Sequence, residues 1–239
     1  NDVLQSELIR SRAIIENNNF SLSAEEIDLI LEDVYVPRFE LKNSALRKWF
    51  SESDAWWFDN VRQNIEKLSS VPAQSSALKI AMDVGDYALS FSAQTRELRQ
   101  PLSKVFSNLC AVEPKPFDNR QKNSSLKKPF KDCIAESYTN LIFIRLPAPR
   151  RTSLQDFYRS ISWREEWIRG NGDFWRELES IHQGNLMARI ESKNQYLKFL
   201  ENILQTASHI PHWAIAFSEN NFTTTQEITE TVNRVRRVE

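Results

Sequence analysis

The run Leu141-Ile142-Phe143-Ile144, leading into Arg145-Leu146-Pro147-Ala148-Pro149, decides how this chain is read. Four consecutive apolar residues closing on prolines predict a buried parallel strand that ends at a site-forming loop. Downstream, Trp213-Ala214-Ile215-Ala216-Phe217 repeats the pattern and ends in Ser218-Glu219-Asn220-Asn221. Between them lie Arg150-Arg151-Thr152-Ser153 and helical stretches near Gln155 to Ile168 and Asn194 to Ser208; a further helix is expected near Thr225 to Val232. Strand, helical link and strand predict the right-handed crossover of an open α/β sheet, whose ligands sit beyond the carboxyl ends of the strands.

Upstream the period changes to that of helices. Leu4, Leu8, Ile9 and Ile14-Ile15 keep helical spacing until Asn17-Asn18-Asn19. Ser23-Ala24-Glu25-Glu26 reads as a cap with an acidic first turn, and Ile27, Ile30 and Leu31 share the face behind it. Ser44 to Phe50, Asp54 to Leu68 and Ser75 to Ser92 continue the pattern, with a turn at Val71-Pro72. Residues 20–110 thus predict a mostly helical lobe with Trp49, Trp56, Trp57, Phe58, Tyr87 and Phe91 as its aromatic core. Residues 113–131 are polar, basic and broken by prolines: a loop, either solvated surface or a basic arm laid on phosphate.

At 239 residues with 41% hydrophobic content the chain can bury a sizeable core. A net charge of −1 confines any nucleic-acid contact to a local patch. No stretch suits a membrane span or a signal peptide, which makes the cytoplasm the default compartment. Cys110 and Cys133 lack disulfide or metal-ligand patterning and read as reduced structural thiols. Four glycines are too few for a phosphate-cradling loop, and Gly170-Asn171-Gly172 follows no strand and reads as a turn. The chain opens on Asn1-Asp2-Val3 without methionine, as a piece of a longer protein would.

The order of these pieces resembles the Dam-like adenine-specific DNA methyltransferases, which act with S-adenosylmethionine on a Rossmann-like sheet carrying an inserted helical target-recognition lobe. Four segments carry the resemblance: Asn1-Asp2 before Leu4-Gln5-Ser6; Phe39 to Ala45 with Trp57 to Ile65; Thr139 to Ile144; and Trp213 to Ser218 with Thr223-Thr224-Thr225. It implies that Asp2 occupies the place where the family's acidic residue meets the ribose hydroxyls of the cofactor. The family's Asp-Pro-Pro-Tyr should follow Ile144, yet Arg145-Leu146-Pro147-Ala148 stands there. In the family the acid and a neighbouring carbonyl accept hydrogen bonds from the adenine amine while the ring stacks on the flipped base. Arginine only donates and alanine has no π face, so neither takes those roles.

The resemblance therefore implies an α/β fold, a partial Rossmann-like methyltransferase sheet formed by residues 1–19 and 111–239, with a helical insertion at 20–110. It implies a homologue of adenine methyltransferases that is inactive in these residues, or a non-catalytic DNA-binding or protein-interaction remnant. Double-stranded DNA is the expected partner, with Lys127, Lys128, Arg150 and Arg151 on its phosphates. His209 and His212 flank Ile210-Pro211 without a third ligand and read as a helix end, while Glu165-Glu166 and Glu219 read as solvated helix charges. No serine or cysteine stands in a nucleophile-elbow pattern.

Overall fold

A computed structural model describes residues 2–33, 40–92, 94–219 and 222–237. Asn1, Phe39 and Asn220-Asn221, all invoked above, lie outside them. In chain order the helices and strands are α1 (Gln5–Ser11), α2 (Ala24–Leu31), α3 (Glu52–Ile65), α4 (Val71–Leu89), α5 (Leu102–Val112), α6 (Phe130–Ala135), β1 (Leu141–Arg145), α7 (Leu154–Tyr158), α8 (Ser162–Arg169), α9 (Trp175–Ile181), α10 (Lys193–Thr206), β2 (His212–Ala216) and α11 (Thr225–Val235). The chain is mostly helical and mixes these helices with one parallel pair of strands. It divides into two compact units, residues 2–127 with 160–172, and residues 128–159 with 173–239.

The first unit is helical. Side chains fix its helix starts. Ser23 and Glu26 close a reciprocal capping box on α2, Ser51 caps α3, and Ser70 caps α4 with Pro72 in the first turn. Its core centres on Phe58, Phe106, Trp163 and Trp167, all essentially sealed from solvent. Trp49, Trp57 and Tyr87 pack against it only partly buried. The two tryptophans come from α8, beyond the 20–110 stretch to which the periodicity assigned the lobe, and α1 also belongs here. The reason is physical: α8 carries Trp163 and Trp167 on one face, and Gly85 of α4 leaves the space that the Trp163 ring fills.

Carboxylates bind this unit together. Glu165 accepts the Gln5 and Ser6 backbone N–H groups at 2.8 Å each and pairs with Arg169 at 2.6 Å, so it caps the start of α1. Glu166 accepts the Trp49 indole N–H at 2.6 Å. Both are about 1% exposed. They are structural acceptors rather than the solvated charges the sequence suggested. Gly170 ends α8 in the left-handed region, φ 80°, as the expected turn.

The second unit holds the strands. β1 and β2 run parallel with Ile142 opposite Trp213 and Ile144 opposite Ile215. Those four side chains pack on α6, α10 and α11 through Ile134, Leu200, Ile203, Leu204 and Ile228. The expectation of a strand buried on both faces is corrected here: Leu141 is 56% exposed and Phe143 67%. Side chains alternate across a strand, and among the described residues helices cover one face of this sheet, so every second residue of the apolar run stays open.

Candidate functional site at the strand ends

In a parallel sheet the carboxyl ends of the strands are where ligands are expected. Past β1, the Leu146 N–H donates to the Ala216 carbonyl at 2.8 Å and extends the ladder by one residue. Pro147 comes next, and its carbonyl accepts the Tyr196 hydroxyl of α10 at 2.8 Å. Burial pushes the Tyr196 phenol up to about 12, so it stays a neutral donor at any physiological pH. Farther on, the Arg150 carbonyl accepts the Ile190 N–H at 2.9 Å. The loop is thus fastened at three backbone points, one of them the Pro147 carbonyl two residues past the strand end.

Arg150 is the strongest of these anchors. It is 1% exposed, and its guanidinium donates two-pronged to Glu179 at 2.9 and 2.7 Å, to the Met187 carbonyl at 2.8 Å and to the Thr152 carbonyl at 2.6 Å. Burial alone would raise Glu179, but the bonds from Arg150 and the Leu154 N–H outweigh it and hold the carboxyl below its usual range. The expectation that Arg150 reaches phosphate is therefore corrected: the side chain is enclosed, and four of its five N–H groups are spent inside the unit. Arg151 turns outward. It is exposed, with its guanidinium 5.4 Å over the Phe222 ring, and Phe222 meets Tyr196 edge-on at 6.0 Å. Arg145, at the end of β1, is exposed as well.

Beside Arg150 lies His182, the C-cap of α9, 4% exposed and with neither ring nitrogen hydrogen-bonded. The neighbouring Asn185 amide is committed to the Ile181 carbonyl and the Met187 N–H. Burial, then the positive charge of Arg150, push His182 below the ordinary histidine value.

Most of the other sequence candidates have partners of their own. Lys128 pairs with Glu136 at 2.5 Å, and the Lys127 ammonium donates to the Gln5 side chain at 3.0 Å. Asp2 accepts the Leu4 N–H at 2.8 Å, and burial raises its carboxyl. Glu219 accepts from Thr225 at the start of α11. The His209 ring sits between the Thr206 and Ser137 carbonyls, 3.0 Å from each, and no metal-holding group of side chains occurs among the described residues. Burial pushes the Cys110 thiol up to about 11, which leaves it protonated and unreactive.

Tyr196, Phe222 and Arg145 were not singled out from the sequence as site residues. Arg145 was findable, since alternation along β1 puts it on the open face with Leu141 and Phe143. The Tyr196 contact joins residues 49 positions apart and left no sequence signal. No protein-family model, curated protein or solved structure matches the chain.

Proposed function

We propose that this chain is a Dam-like adenine methyltransferase fold that holds duplex DNA at the carboxyl ends of β1 and β2 and performs no methyl transfer with these residues. The observation that carries the reading is the closure of the strand-end loop: the Pro147 carbonyl is bound by Tyr196, and an arginine, Arg145, ends β1 just before the loop. Adenine methylation needs acceptors for the amine at that place, and a cation there opposes the charge that develops on the methylated nitrogen. The parallel strand, helix, strand order supports a Rossmann-like sheet of the methyltransferase kind. The exposed Arg145 and Arg151 support phosphate contact, and the Phe222 ring under Arg151 holds that guanidinium in place.

S-adenosylmethionine does not fit the residues present. One Asp2 oxygen is engaged by the Leu4 N–H. None of the four glycines forms a cradle: Gly85 lies under Trp163 inside α4, Gly170 and Gly184 stand in left-handed turns, and Gly172 faces the Glu166 carboxylate.

Fluorescence anisotropy with a labelled duplex over a range of salt tests the reading. Arg145→Ala with Arg151→Ala should weaken binding to all sequences alike and flatten the plot of log affinity against log salt by about 0.9 per lost contact. Radiolabelled S-adenosylmethionine should leave no label in the DNA. An unchanged salt slope overturns the DNA interface, and methyl incorporation overturns the non-catalytic assignment.

A further inference from the structure

Within the helical unit, α1, α3, α4 and α8 leave a cavity of about 320 Å³ among them, at the lower end of small-ligand sites and in a position typical of helical assemblies. Ile9, Ile65, Leu78 and Ile168 make its walls apolar. Three polar groups break that lining. Ser75 is 4% exposed, and its hydroxyl makes no hydrogen bond among the described residues. Among the described residues Arg62 pairs with Glu66 alone, 3.3 Å from its Nε, and burial pushes Arg62 below its usual range. Arg12, also in the lining, has Glu16 at 3.8 Å.

Polar donors that line an apolar opening without a partner in the fold are available to a ligand. A packing flaw would be apolar and would not draw a hydroxyl and two guanidinium groups to one opening. The cavity also meets the start of α4, the longest helix, with Val71 and Gln74 of its first turns in the wall. The amino end of a helix favours negative charge. A monoanion suits the free donors. The Arg62 guanidinium, although 3.3 Å from Glu66, makes no hydrogen bond among the described residues, Arg12 stands 3.8 Å from Glu16, and Glu66 would repel a dianion.

We propose that this cavity binds a small amphipathic carboxylate, its hydrocarbon or aromatic body against Ile9, Ile65 and Leu78 and its carboxylate held by Arg62, Arg12 and the Ser75 hydroxyl. The planar guanidinium fork suits a carboxylate. The site is independent of the strand-end loop and stands whether or not the DNA reading does.

Naphthoate is a suitable probe, with naphthalenemethanol as its neutral counterpart, titrated into the full chain by calorimetry and by methyl NMR of labelled isoleucines. Naphthoate should bind saturably, one per chain, at least tenfold tighter than the alcohol, and should shift the Ile9 and Ile65 methyl signals. Arg62→Gln should lower naphthoate affinity at least tenfold, about 1.4 kcal/mol, and leave the alcohol unaffected. Should Arg62→Gln lose its helical circular dichroism, Arg12→Gln, on a more exposed side chain, and the acid-to-alcohol ratio in the parent still decide. Equal binding of acid and alcohol, absence of saturation, unchanged affinity in a folded Arg62→Gln variant, or shifts confined to other isoleucines would each overturn the proposal.

Discussion

Gly85→Ala on α4 should destabilise the protein, although at an exposed helix position the same change would stabilise it by about 1 kcal/mol through helix propensity. A Cβ at Gly85 would lie 2.1 Å from Cη2 and 2.2 Å from Cζ2 of Trp163. The ring has nowhere to go. Its indole N–H is bound to Asp86 at 3.1 Å, and Phe50, Phe58 and Trp167 surround it with centroids at 5.2, 5.5 and 5.9 Å. Overpacking of a tight core costs about 1–3 kcal/mol, and an overlap this deep with a fixed ring belongs at the upper end. Against the propensity gain, the net loss should be about 2 kcal/mol. Urea unfolding followed by far-ultraviolet circular dichroism measures it. Trp163→Phe should make the same glycine change far better tolerated, giving a coupling of about 1 kcal/mol or more in a double-mutant cycle. A Gly85→Ala protein as stable as its parent, or strict additivity with Trp163→Phe, would refute the reasoning.

Two further outcomes are expected. His182 is buried with its nitrogens unpaired and its affinity for protons lowered, so the unfolded chain takes up a proton that the folded chain refuses. Stability should therefore be constant above the ordinary histidine range and decline as pH falls below about 6.5; urea midpoints across that range should show the decline, and His182→Gln should flatten it. Arg150→Lys keeps the charge but loses the two-pronged bond to Glu179 and the carbonyl contacts, at a cost of about 2 kcal/mol. It should lower the melting temperature while leaving the salt slope of DNA binding untouched, and a changed slope with unchanged stability would show Arg150 acting on phosphate after all.

Local patterns carried much of the fold. The Ser23-to-Glu26 capping box, the helical spacing through α3 and α4, and the parallel pairing of the two apolar runs are written in short windows of sequence. What escaped depends on distance along the chain. Glu165 caps a helix whose first residue lies 160 positions earlier, and only the fold brings them together. Trp163 and Trp167 were read with the strands beside them in sequence, although their ring faces belong to the helical core. Within the candidate site, Arg150-Arg151 could be located at a strand end, but two adjacent arginines look alike in sequence while one is enclosed and the other open. Burial is decided by Glu179 and Met187, which no local window contains.

The interleaving of the two units bears on how the chain is made. Residues 2–127 belong with 160–172, while the stretch between them, 128–159, belongs with residues 173–239. A ribosome delivering this chain from its amino end would release α1 to α5 with Phe58 and Phe106 still lacking Trp163 and Trp167, the two rings that complete their surroundings. That nascent intermediate must stay unjoined until residue 167 has left the exit tunnel, and it presents aromatic surface to chaperones in the meantime. A circular permutant that begins at residue 160 should remove this interval, because the two tryptophans of α8 would then be delivered ahead of the helices they close.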